Sequence, residues 1–298
     1  MPELPDVVIY IEALEKRITG ATLDAIRITN PFVLRTVQPS PEDLAGRKVV
    51  TLRRMGKRIV IALERDAFIV IHLMLAGRFR WAGADEQPVK KVPPKLQLAR
   101  LAFSTGTLTF TEAGSKRRAS IHLVEGEDAL NQFDRGGIEV LEATLDQFAE
   151  ALVRENHTLK RALTDPRLFS GIGNAYSDEI LHRARLSPLQ LTGRMDAEQV
   201  DQLFVAVKET LRFWIETTRA ETGNGFPEKV TAFRRTMAVH GKYGRPCPVC
   251  GAPVQRIVYA DNETNYCAKC QTGGRLLADR ALSRLLRTDW PRSLDEIE

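Results

Sequence analysis

The 298-residue sequence predicts an α+β, multidomain architecture, and three observations predict it. Residues 21–125 carry short runs rich in branched side chains, the pattern of strands. From residue 144 the pattern turns helical, with polar caps ahead of apolar stripes. Towards the C-terminus stand two CxxC pairs with 16 residues between them. The length agrees, since ~150 residues per domain makes about two domains.

The elements follow in order. After "MPELP", Asp6 can cap a helix in which Val7, Ile11, Leu14 and Ile18 recur at helical spacing before Gly20 stops it. The runs "TLDAIRIT", "KRIVIAL", "AFIVIHLML", "LARLAFS", "TLTFTEA" and "ASIHLV" read as strands, with "STGT" (104–107) as a hairpin turn. Together they predict a sandwich or barrel. "TLDQFAEALVREN" opens on a capping box, Thr144 with Gln147. "LKRAL" follows and is broken by Asp165-Pro166. "NAYSDEILHRARL" is a further helix, ended near Ser187-Pro188, and "DAEQVDQLFVAVKETLRFWIETT" a long one with Asp196 and Gln199 at its start. Residues 219–228 read as a polar, glycine-containing loop, and no internal repeat is present.

Composition narrows the function classes. A net charge of +5 suits a chain that handles a polyanion. No apolar run approaches ~20 residues, so no membrane span is expected. An acid at position 3 and the lack of a basic n-region argue against a signal peptide. The expected setting is therefore cytoplasmic and reducing, in which four cysteines need a role other than disulfides.

Cys247, Cys250, Cys267 and Cys270 supply that role. Two thiolates at CxxC spacing chelate one ion from a knuckle turn, and two knuckles complete a tetrahedron. A closed shell of four thiolates leaves no position for water, so one structural zinc ion is expected. Two disulfides, or four unrelated thiols, are the other readings. Between the knuckles "QRIVYA" and "ETNYC" predict a hairpin. In "FSGIGNAYSDEIL", Gly171 and Gly173 precede a helix starting near Asn174. Free N–H groups and the positive dipole end make such a start a phosphate site, with Asn174 and Lys160 within reach; an ordinary glycine-led helix start is the bland reading.

"MPELPD", "RRMGKRIV", "SKRR", "GIGNAYSDEIL" and the CxxC…CxxC finger occur in that order, and together they resemble the Fpg/Nei family of bifunctional DNA glycosylases. The resemblance covers residues 1 to about 272 and implies four parts. These are an N-terminal catalytic β-sandwich domain with an N-terminal helix (1–135), a helix–two-turns–helix DNA-binding domain (136–238), a zinc finger (239–272) and a C-terminal extension (273–298). It implies a monomer acting on damaged double-stranded DNA, removing oxidised bases and cleaving the strand by β- or β,δ-elimination. Pro2 matches the catalytic proline, whose secondary amine is exposed once Met1 is removed. Glu3 matches the general acid/base. Lys57 matches the lysine that contacts phosphates flanking the lesion and assists elimination. Lys160 and Asn174 match the phosphate clamp, and Arg117 the arginine that enters the space left by a flipped base. His72 falls where the family often has a histidine; a half-buried strand histidine is the alternative.

Departures from the family pattern are equally specific. "HLMLAG" puts Leu75 at a wedge methionine, and Ala119 replaces a wedge phenylalanine. "KLQL" (95–98) lacks a histidine, and Asn262, five residues before Cys267, replaces an arginine that serves the second elimination. These leave open formamidopyrimidine and 8-oxoguanine against oxidised pyrimidines as substrates. They also leave open a damaged-DNA-binding protein with little catalysis, and a zinc protein with no lesion chemistry. Leu277, Ala281, Leu282 and Leu285 predict a helical stripe in the extension, with Arg280, Arg284 and Arg287 around it.

Overall fold

The computed structural model describes residues 1–85, 92–114, 117–228, 230–231, 234–259, 262–277 and 291–296. The chain forms two compact units, residues 1–135 with 214–231, and residues 136–213 with 232–298.

The first unit is a sandwich of two antiparallel four-stranded sheets and a helix. Helix α1 (Leu4–Ile18) begins earlier than the sequence reading placed it: Glu3 is the N-cap. Asp6 closes the cap from inside the first turn, accepting the Glu3 N–H at 2.9 Å. One sheet has the order β1 (Leu23–Ile28), β6 (Gln97–Phe103), β7 (Gly106–Glu112), β5 (Gly77–Gly83); the other runs β2 (Val49–Met55), β3 (Arg58–Leu63), β4 (Ala67–His72), β8 (Ser120–Glu125). Ile59, Ile61, Ile69, Ile71, Leu101, Leu108 and Phe110 meet in the core, and Val7, Tyr10, Leu14 and Ile18 of α1 close it. The second sheet is apolar on its other face too. There Val60, Phe68 and Val70 pack against Leu130 of the short helix α2 (Glu127–Asn131). Burial on both faces is why "RIVIAL" and "AFIVIH" are continuous apolar runs rather than alternations. Each fully buried Leu or Ile contributes roughly 1.5–3 kcal/mol.

Residues 214–231 complete this unit. Arg219 pairs with Glu12 at 2.6 and 3.0 Å, Val230 enters the sandwich core, and Phe226 packs against Tyr10 with its centroid 6.0 Å away.

In the second unit the capping box at Thr144 is present, with reciprocal bonds of 3.0 and 3.2 Å to Gln147. It starts α3 (Leu145–Val153), followed by α4 (Leu159–Thr164), α5 (Asn174–Arg183) and α6 (Ala197–Thr222), whose residues from 214 onward belong to the first unit and whose end runs into the stretch the sequence suggests as a loop. Asp196 caps α6 through the Gln199 N–H at 2.8 Å. α5 stops at Arg183, before the Ser187-Pro188 stop the sequence suggests; Arg185 has already turned to φ +51°. The finger is a hairpin, β9 (Val254–Tyr259) with β10 (Asn262–Cys267), followed by α7 (Ala268–Thr272). Leu276 and Leu277 pack on Ile257, Tyr266 and Ala268. The helical stripe expected at residues 281–287 lies outside the described residues.

Candidate active site and nucleic-acid interface

In the first unit the N-terminal end of α1 is a buried, charged site. Pro2 is buried, and Glu3 is only 2% exposed. The terminal amine, carried by Met1, titrates below its ordinary value of 8.0. Burial is the main cause. The positive charges of Arg78 and Lys57 act in the same direction, and Glu3 and Asp6 oppose them. Lys57 reaches this neighbourhood because Gly56-Lys57 is the two-residue turn of the β2–β3 hairpin. Gly56 takes φ +62°, and the Arg54 guanidinium holds its carbonyl at 2.6 Å. Arg78 is a residue the sequence reading missed. It lies on β5, a strand that reading did not resolve, and its guanidinium also donates to the Gly77 carbonyl at 2.6 Å.

Leu75 is 65% exposed, at the tip of a turn closed by the Gly77 N–H on the Leu73 carbonyl at 2.8 Å. A Cβ on residue 77 would collide with that carbonyl, so the turn requires glycine. Arg117 is exposed and donates to the Lys95 carbonyl. The base of its loop is tied down by buried Glu112, which accepts the Arg118 and Ala119 N–H groups at 3.1 and 3.3 Å. Ala119 lies inside the sandwich core, so no side chain there can serve as a wedge. Leu98 of "KLQL" is in the same core.

His72 ends β4, partly buried, opposite Arg58 on β3. Burial, then Arg58, Lys57 and His122, bring its pKa down from 6.5 to about 4. His122 shifts the same way, again chiefly through burial. Unfolded, these histidines bind protons below pH 6.5 that the folded sandwich refuses. Stability is therefore whole above pH 6.5 and falls as the pH drops from there towards about 4. Thermal unfolding at pH 7 and pH 5 is expected to show this loss, reduced in His72→Gln. An equal acid slope in both proteins would remove His72 as its source.

In the second unit, Gly173 precedes α5, and Asn174 is its first residue. The Asn174 amide donates to the Glu263 carbonyl on β10 at 2.9 Å. Lys160 Nζ donates to the Asn174 carbonyl at 2.7 Å and pairs with the buried Asp178 carboxylate. Its charge is thus already partly offset within the chain. Asn262 is exposed at the start of β10, beside Glu263. Arg256 stands over the Tyr243 ring at 4.3 Å and faces Glu263 at 3.4 Å. The structure thus gathers Pro2, Glu3 and Lys57 in one unit, and Lys160, Asn174 and the strand bearing Asn262 in the other.

The four cysteines are free thiols, which excludes the disulfide reading. Their sulfurs all lie within 4.8 Å of one another, with Cys250–Cys267 at 3.4 Å and Cys247–Cys270 at 3.9 Å. A tetrahedral ion with Zn–S bonds of ~2.3 Å needs S···S separations of about 3.8 Å, so the set fits zinc. Burial, with neighbouring thiols, pushes Cys267 up to about 11 and Cys270 higher still. A divalent cation is what would hold all four deprotonated. Gly251, at φ +75°, closes the first knuckle, and its N–H reaches the Cys247 carbonyl at 2.9 Å.

Three known domain types match in this order. Residues 1–118 match the formamidopyrimidine-DNA glycosylase N-terminal domain. Residues 139–224 match its H2TH domain, and residues 244–273 a zinc finger found in FPG and IleRS. This arrangement defines a DNA glycosylase with a zinc finger. The chain belongs to the formamidopyrimidine-DNA glycosylase family: it is 32% identical over 280 residues to the formamidopyrimidine-DNA glycosylase of Herpetosiphon aurantiacus, covering 91% of this chain and all of that one. Among solved structures it resembles the Lactococcus lactis Fpg in complex with abasic-site DNA (TM-score 0.78, 26% identity, 91% of this chain and 99% of that one). It equally resembles MutM in complex with DNA containing carbocyclic 8-oxo-G (TM-score 0.78, 26% identity, 91% and 100%). No helix among the described residues is long and apolar enough to cross a membrane.

Proposed function

We propose that this chain is a base-excision repair glycosylase and abasic-site lyase for oxidised bases of the formamidopyrimidine and 8-oxoguanine type. It acts on double-stranded DNA as a monomer, in the cytoplasm. Family membership carries the class, and the buried terminal amine between Glu3, Lys57 and Arg78 carries the chemistry. The reading is supported by relatives named for that activity and by neighbours solved with abasic and 8-oxo-G DNA.

With Met1 removed, Pro2 is the nucleophile. Its secondary amine attacks the sugar C1′ and expels the damaged base, giving an iminium whose fixed positive charge acidifies C2′. Glu3 protonates the opening sugar and then moves protons during elimination. Lys57 holds the flanking phosphates, and His72, neutral at pH 7, donates its one ring N–H there. In the second unit Lys160 and Asn174 grip phosphate at the start of α5. Arg117 leaves the Lys95 carbonyl to fill the gap of the flipped base, with Leu75 as an aliphatic wedge. One structural zinc, held by Cys247, Cys250, Cys267 and Cys270, shapes the finger. The deciding experiment is borohydride trapping on an 8-oxoguanine duplex. Covalent complex supports the enzyme; tight binding without trapping supports a damage-binding protein instead.

Asn262 bears on the product. A second elimination must expel a phosphate that carries charge as it leaves, and an amide supplies neutral donors where a guanidinium supplies charge. Arg256, the neighbouring cation, is already engaged by Tyr243 and Glu263. Wild type is therefore expected to accumulate the β-elimination product, and Asn262→Arg to raise the 3′-phosphate product several-fold on denaturing gels. Rapid, complete formation of that product by wild type, unaffected by Arg256→Ala, would overturn this.

A further inference from the structure

Helix α5 carries polar side chains at positions 174, 178 and 182, spaced four apart and therefore on one face. Each meets the segment that forms the finger. Asn174 donates to the Glu263 carbonyl at 2.9 Å, and Asp178 contacts His240 Nδ1 at 2.8 Å. Glu179, beside this stripe, accepts the N–H groups of Ala238, Val239 and His240 at 2.7, 2.9 and 2.9 Å. The last contact of the stripe is of a different kind: His182 Nε2 lies 3.2 Å from Cys247 Sγ. Both residues are buried, at 6% and 2% exposure.

We propose that His182 is a positioning residue of the metal centre, donating its Nε2–H to the Cys247 thiolate and fastening helix α5 to the finger through the sulfur itself. The proposal rests on the four cysteines holding one metal ion. Once Cys247 is a thiolate it can only accept, so the contact requires hydrogen on Nε2. A charge-assisted bond of this sort is shorter and stronger than a neutral one. Two other knuckle sulfurs receive backbone donors: Cys267 from the Cys270 N–H at 3.5 Å, and Cys250 from the Ala252 N–H. At Cys247 an imidazole from a different element fills that place. Groups of this kind orient a ligand and tune its basicity, and their loss typically lowers metal affinity 10–100-fold.

The test uses the full chain. Wild type, His182→Phe and His182→Gln are compared by zinc competition with a chromogenic chelator and by the sulfur-to-cobalt charge-transfer band after cobalt substitution. Phe keeps the ring volume without a donor, whereas Gln keeps an N–H. The expected result is zinc affinity lowered about 10–100-fold in His182→Phe, a charge-transfer band moved to lower energy, and both largely restored in His182→Gln. Wild-type affinity and band energy in His182→Phe would overturn the proposal, as would equal losses in both variants. Should His182→Phe not fold, a wild-type band in His182→Gln supports the proposal and a strongly displaced one overturns it. Wild type that takes up no metal would instead remove the metal reading on which this one stands.

Discussion

A form of this chain in which Met1 or a tag stays attached to Pro2 is expected to give no borohydride-trapped complex with abasic-site DNA, while the form with a free Pro2 amine traps efficiently. The difference should be complete, because an acylated nitrogen delocalises its lone pair into the carbonyl and is no longer a nucleophile. The site favours the free amine. Burial, helped by the charges of Arg78 and Lys57, lowers the pKa of the terminal amine below its usual 8.0, which favours the unprotonated form. Undiminished trapping by the tagged form would show that an internal lysine is the nucleophile, with Lys57 the first candidate because its charge acts on this amine.

Cys247→Ser and Cys267→Ser are expected to lose the metal and unfold the finger, weakening DNA binding at least about tenfold. Zinc binding to such small elements is worth roughly 10–16 kcal/mol, far more than a two-stranded hairpin can supply itself. The loss would spread along α5, since Asn174 and Glu179 both bond to the segment that would unravel. The sandwich should survive, because among the described residues its core draws none from the finger. Elemental analysis, duplex binding and thermal unfolding together read this. Freshly purified wild type without stoichiometric metal, or a serine variant that binds DNA as wild type does, would end the idea.

What was legible in the sequence was local. The capping box of α3 and the cap of α6 involve residues three apart, and both are present. The CxxC pairs fix a chelate by spacing alone, and the four sulfurs do converge. Strands β2 and β5 were not legible. "VVTLRRM" and "GRFRWAG" carry Arg and Gly at their solvent-facing and turn positions, which masks the apolar alternation. Missing β5 meant missing Arg78. Partners distant in sequence were invisible for the same reason. Nothing near Lys160 announces Asp178, and nothing near Glu112 shows that its carboxylate holds the Arg117 loop. α5 is the sharpest case. Asp178, Glu179 and His182 are buried, and each finds a partner far along the chain, at His240, at the Ala238–His240 N–H groups and at Cys247.

The sandwich is stitched from two stretches of chain, residues 1–135 and 214–231, and this orders its birth on the ribosome. When residue 135 has emerged, both sheets are in hand, but Val230 is missing from the core and Arg219 has not reached Glu12. About ninety-five further residues must be made before Val230 arrives, several seconds at elongation rates of ~5–20 residues per second. During that interval the nascent domain waits with an unfilled flank beside Tyr10, where Phe226 will pack. A fragment ending at residue 135 should reproduce that waiting state, and nascent-chain protection should reach its final level only after residue 231 has cleared the tunnel.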